Sequence, residues 1–321
     1  MGRAGRKASL AALHLAYELG INFVDTARSY GYGDSEGLIG EFLAGRRDSV
    51  VICTKFGILP SNKGGWKRKL KPIAQAAVNI MPGLRGVARR QAAGQLVHRK
   101  LTPALLRSSL EESLRELKTD YVDMLLMHDV DSDALNNTDL LEALERLVSA
   151  GTVRVAGVSG VHRVIEGLLK QRPQVIRTVQ CALDPSSLNV LYRIRSARAQ
   201  NLFVVANHPF GGTAGVHALS ELLIAMRDDV TLSSALRDKL HGDIQEILPE
   251  IVFGCILQGT GVSGVVSAMI QPRNLRQNIR AVDQCRFSSD ELQVLRRIIA
   301  RRSQTGTRGD GHPASGSTPS K

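Results

Sequence analysis

Three acidic or basic side chains fall at the ends of apolar alternations in this chain. In "INFVDT", Ile21, Phe23 and Asp25 share one face by the two-residue period of a strand. In "VVICTK" the same face carries Val51, Cys53 and Lys55, and in "MLLMH" it carries Met124, Leu126 and His128. A phenol, Tyr30, follows Asp25 by five residues in "DTARSYGYGDSEGLIG". Brought together, these four side chains could move a proton. A free tyrosine has a pKa near ~10 and is a poor acid at neutral pH, but a neighbouring ammonium favours the phenolate. Lys55 needs a counter-charge to stay protonated in an apolar mouth, and Asp25 can supply it. His128 can hydrogen-bond to a substrate carbonyl oxygen or to the phenol. Such a group could protonate or deprotonate an oxygen during hydride transfer, with no nucleophile required. Taken singly, Asp25 fits a helix N-cap, Lys55 a rim cation and His128 a satisfied core histidine. Three such endings with a tyrosine after the first argue for a site.

The elements that must position these residues alternate along the chain. Strands are expected at 21–26, 50–55, 121–128, 153–159, 178–183, 202–207 and 264–270. Helices are expected at 7–19, 34–44, 103–117, 137–150, 161–171, 186–199, 216–227, 244–258 and 289–302. Thr102-Pro103 reads as an N-cap followed by N1, and Gly151 as a helix stop. Near-continuous apolar strands between helices imply a parallel sheet covered by helices. The glycine fingerprint of a dinucleotide fold is missing, so a (β/α)8 TIM barrel is favoured over an open sheet. Only seven strands are found, and the chain opens in the helix that should follow the first. The barrel is therefore expected to lack its first β-strand. In such a barrel the carboxyl ends of the strands open at one mouth, which would gather Asp25, Tyr30, Lys55 and His128.

The chain has 321 residues, 43% hydrophobic and 22% charged, within the range of a globular protein. One barrel domain is expected over 1–302, with a disordered Gly/Ser/Pro-rich tail at 303–321. The tail's Arg308-Gly309-Asp310 matches a short adhesion motif and is read as chance. Cys53, Cys181, Cys255 and Cys285 are scattered, which argues against a zinc site and a disulfide framework. No membrane-spanning run and no secretory signal are found, so the cytoplasm is expected. The net charge of +12 is concentrated in 61–100, with ten Lys or Arg and no acid, leaving the rest near +2. This basic segment follows the Lys55 strand and is read as a lid or substrate wall at the mouth. Nucleic acid is not expected as a partner, since Trp66 stands alone there for stacking. An anionic surface or substrate is a weaker reading of the same charge.

The segment "GINFVDTARSYGYGDSE" resembles the signature of the aldo-keto reductases, with "TKFG" similar to their lysine strand, "MLLMH" to their histidine strand and "GTVRVAGVS" to a further family stretch. The resemblance covers about residues 8–300. It implies reduction of an aldehyde or ketone, or the reverse, with Tyr30 as general acid, Lys55 tuning it, Asp25 holding Lys55 and His128 orienting the carbonyl. It implies NADPH as cofactor, with NADH left open, and a small carbonyl or alcohol as substrate. Ser159 and Gln180 stand where the family binds the nicotinamide carboxamide. The family's asparagine after Ser159 is Gly160 here, and its stacking tyrosine is replaced by Asn207, followed by His208. At the adenosine-phosphate end, "SAMIQPRNLRQN" keeps Pro272, Leu275, Gln277 and Asn278. It lacks a Lys-Ser pair, and Arg273 and Arg276 could supply the charge. A rival from another class is a non-catalytic nucleotide-binding scaffold on the same barrel.

Overall fold

The computed structural model describes residues 5–60, 96–130, 132–161, 164, 167–168, 173–187, 190 and 201–306. The tail from 307 and most of the basic segment lie outside these residues, as do most of 161–171 and 186–199. The strands are β1 (Phe23–Asp25), β2 (Val51–Phe56), β3 (Ile58–Pro60), β4 (Leu96–His98), β5 (Val122–Val130), β6 (Val153–Gly160), β7 (Ile176–Ala182), β8 (Phe203–Asn207) and β9 (Gly264–Val266). The helices used below are α1 (Arg6–Glu18), α2 (Ser35–Phe42), α3 (Pro103–Leu117), α4 (Thr138–Ser149), α5 (Gly212–Ala225), α6 (Ser234–Leu240), α7 (Ile244–Leu257), α8 (Pro272–Asp283) and α9 (Ser289–Gly306).

Seven strands form one parallel sheet in the order β1-β2-β5-β6-β7-β8-β9. It curls into a nearly closed barrel flanked by helices. Its two edges are β1 and β9, which pair among the described residues only with β2 and β8. The strands are buried on both faces, as their apolar runs require: Leu125 and Met127 meet the helical layer, and Leu126 next to them is equally buried. The seven expected strands are all present, several shorter than their apolar runs. Thus 264–270 narrows to β9, whose Gly264, Val265 and Val266 are the residues with partners on β8.

Local chemistry sets the helix ends. Thr102 accepts from the Leu105 amide at 3.1 Å ahead of Pro103, and Asn137 accepts from Leu140 at 3.1 Å. At the amino end of the barrel, Asp123 accepts from Arg47 at 2.9 Å, Arg154 at 2.8 Å and the Ile52 amide at 2.9 Å. Arg47 and Arg154 also stack on Tyr121, 3.8 and 4.2 Å from its centroid. This pin ties β2, β5 and β6 together away from the mouth.

Three features were not foreseen. Two are the helices α6 and α8. The third is an antiparallel hairpin, β3 with β4, pairing Ile58 with His98 and Pro60 with Leu96. It brackets residues 61–95 and lies at the mouth. An added Cβ on Gly33, in the turn after Tyr30, would come 3.4 Å from the Pro60 ring. One on Gly57, at φ +116°, would come 3.4 Å from the His128 carbonyl. The hairpin therefore packs beside the Tyr30 turn and His128.

Candidate active site

Asp25 ends β1 and Lys55 lies near the end of β2, with its side chain fully buried. The Lys55 Nζ donates to both Asp25 carboxylate oxygens at 2.7 Å and to the Thr26 carbonyl at 2.9 Å. Burial by itself would lower the Lys55 pKa, but the Asp25 carboxylate more than offsets this and the value is raised. The lysine stays cationic because its counter-charge is buried with it.

Tyr30 opens a single 3-10 turn, Tyr30–Gly33, after β1. Its ring lies 4.9 Å from Lys55 Nζ and meets His128 edge-on, centroids 5.9 Å apart at 79°. Lys55 pulls the phenol's pKa down as expected. Burial pushes it up more strongly and the net shift is upward. The phenol is thus protonated at neutral pH and held beside a cation that would stabilise its anion.

His128 is pushed down to about 4, first by burial and then by the Lys55 charge. It is neutral at pH 7 and can present one N–H and one lone pair. Its Nδ1 is buried and has no hydrogen-bond partner among the described residues.

The pairing register lines up two further positions with His128. His128 lies opposite Ser159 on β6, and Ser159 opposite Gln180 on β7. Both are buried. Ser159 Oγ donates to Gln180 Oε1 at 3.1 Å, and Gln180 Nε2 donates to Asp25 Oδ1 at 2.9 Å. The last bond crosses the barrel lumen, since β7 and β1 are not neighbours in the sheet. Sequence reasoning placed Ser159 and Gln180 at the mouth and missed this link. Two polar residues at the ends of two strands were its only trace.

Asn207 is half-buried at the end of β8, its side-chain oxygen 3.1 Å from His208 Nδ1. His208 adopts a left-handed φ of 51°. Arg273 and Arg276 are exposed on α8, where Arg273 donates to Gln245 on α7 at 3.1 Å, while Asn278 on the same helix is buried. Six of the ten singled-out side chains thus form one contiguous cluster: Asp25, Tyr30, Lys55, His128, Ser159 and Gln180.

Behind the cluster, on the outward face of the same strands, Glu36 of α2 is buried. It accepts from Thr54 at 2.6 Å and pairs with Arg28 at 3.4 Å. Burial raises its pKa against the pull of Thr54, Ser113 and Arg28. A glutamate in an amphipathic helix reads as solvent-facing, so the sequence held no signal for this.

Comparison with known proteins adds an independent line. The model of the Aldo/keto reductase family matches residues 2–300. An uncharacterized oxidoreductase of Bacillus subtilis is 23% identical over 305 residues, covering 89% of this chain and 86% of its own. A methylglyoxal reductase of Escherichia coli is 32% identical over 191 residues, covering 60% of this chain and 50% of its own. Among solved structures, an aldo-keto reductase from Klebsiella pneumoniae in complex with NADPH aligns with a TM-score of 0.62 at 23% identity. That alignment covers 94% of this chain and 88% of that one.

Proposed function

Because the chain belongs to the aldo/keto reductase family, we propose that it is an NADP(H)-dependent oxidoreductase that interconverts an aldehyde or ketone with the alcohol, with Tyr30 as the acid and base. The observation that carries this reading is the Tyr30–Lys55–Asp25 arrangement, a protonated phenol beside a buried, charge-paired ammonium. Bound NADPH supplies the hydride; the proton is the protein's task. The Tyr30 phenol gives its proton to the carbonyl oxygen as the carbon is reduced. Lys55 stabilises the phenolate left behind, and Asp25 keeps Lys55 charged. Neutral His128 donates an N–H to the same oxygen and orients it. Solvent then reprotonates Tyr30.

The residues present fit a nicotinamide. Gln180 uses one amide hydrogen and one carbonyl lone pair on its protein partners, leaving one of each for a primary carboxamide. The relative solved with NADPH supports this cofactor, and Arg273, Arg276 and Asn278 on α8 are the candidates for its adenosine-phosphate end. Asn207 stands where the family has an aromatic stack, with His208 next to it. Among the described residues no helix is long and apolar enough to cross a membrane. The four free thiols support a reducing compartment such as the cytoplasm.

Tyr30→Phe tests the assignment. Turnover on a panel of aldehydes should fall by at least about 100-fold, while NADPH binding, followed by fluorescence titration, stays within twofold. Equal loss of both would overturn the role of Tyr30. Binding without turnover by the unaltered protein would favour a nucleotide-binding scaffold, a reading that rests on Asn207 and Gly160.

A further inference from the structure

We propose that Gln180 is a positioning residue for the proton-delivery unit, fixing Asp25 against Lys55 from across the barrel in addition to any contact it makes with a cofactor. This rests on the reading of Tyr30 as the acid, and it assigns Gln180 a role that acts through Asp25 and Lys55.

The argument begins with the amide's orientation. A glutamine side chain can be turned either way, and here Asp25 decides. Its carboxylate only accepts, so Nε2 turns to it and Oε1 accepts from the Ser159 hydroxyl. The flipped amide would set a carbonyl oxygen against a carboxylate. Gln180 is 1% exposed and Ser159 6%, so water offers neither a substitute partner. Asp25 Oδ1 then receives Lys55 and Gln180, and Oδ2 receives Lys55. Lys55 is attached to β2 and Gln180 to β7, so the carboxylate is gripped from two sides of the lumen. Without Gln180, Asp25 would still be held from β2, by Lys55 and the Cys53 thiol, but no longer from β7.

The consequence reaches Tyr30. Its ring is faced by Lys55 and Cys53 from β2, Asp25 from β1 and His128 from β5. Among the charges Lys55 acts on it most strongly, ahead of Asp25. The Gln180 N–H partly neutralises the Asp25 carboxylate. Without it that negative charge, which raises the Tyr30 pKa, acts more strongly while Lys55 stays cationic, and the phenol ionises at higher pH.

The test is a titration of the ultraviolet tyrosinate band in protein without cofactor or substrate. Subtracting the Tyr30→Phe titration in each background isolates Tyr30. In Gln180→Leu the Tyr30 midpoint should rise by about one pH unit, a tenfold change in the ionisation equilibrium. Ser159→Ala removes only the hydroxyl that donates to the amide oxygen and steadies the side chain, so it serves if Gln180→Leu does not fold. It should move the midpoint in the same direction by less. A midpoint unmoved in the folded variants, with NADPH binding weakened, would overturn the proposal and leave Gln180 as a cofactor contact only. Because the readout needs no turnover, a failure of Tyr30 as the acid would appear separately, as activity retained by Tyr30→Phe.

Discussion

At the scale of single residues, the site is governed by burial acting against charge. Lys55, Tyr30 and His128 are all removed from water, yet they end in different protonation states because their neighbours differ. Lys55 has a buried carboxylate within 2.7 Å and stays charged. His128 shares that lysine's field without a counter-charge of its own and is neutral down to about pH 4. This has a sign for stability. The unfolded imidazole titrates near 6.5 and the folded one near 4, so between those values the unfolded chain binds more protons. His128 therefore costs no stability at pH 7 and destabilises the fold as pH falls from about 6.5 towards 4. Urea melts across this window should show a shallower pH slope in His128→Gln than in the unaltered protein. An identical slope would mean that His128 does not titrate as described.

At the scale of elements, α2 shows how closely the scaffold behind the site is packed. Gly40 sits inside this helix, where alanine would ordinarily be better by ~1 kcal/mol. An added Cβ would come within 2.3 Å of the Glu116 carbonyl at the end of α3, which is backbone and cannot rotate away. Overpacking of this kind costs about 1–3 kcal/mol, so the steric term wins. Gly40→Ala should lower the melting temperature despite its better helix propensity. A rise would show that α2 and α3 can part freely. The start of α3 was legible to the residue, because Thr102 and Pro103 mark it by local chemistry, whereas its stop at Lys118, in a left-handed φ of 55°, carried no sequence signal. The β3–β4 hairpin was not legible. Its strands are three residues each and separated by a long basic stretch, so neither periodicity nor turn chemistry pointed to the pairing.

At the scale of the whole molecule, the barrel is held from within as well as by its ladders. Lys55–Asp25 joins β2 to β1, and Gln180 carries the link over to β7, while the sheet edges β1 and β9 stand apart. Lys55→Met would strand the Asp25 carboxylate, only 6% exposed, without its cation. The expected cost is about 3–5 kcal/mol, as for other broken buried pairs. Adding Asp25→Asn should restore part of it, and denaturant melts of the single and double variants measure the coupling. Additive losses would show that the pair contributes nothing jointly.

By itself the sequence determined the seven strands of the barrel sheet, and it placed Asp25, Lys55 and His128 at strand ends, because two-residue alternation and the resemblance of "DTARSYGYGDSE" are local properties. Only the tertiary structure decided that Gln180 reaches Asp25, that Glu36 is buried and that burial outweighs Lys55 at Tyr30. Each of these depends on the curvature of the sheet and on depth from solvent, which arise from contacts between residues as far apart as 155 positions.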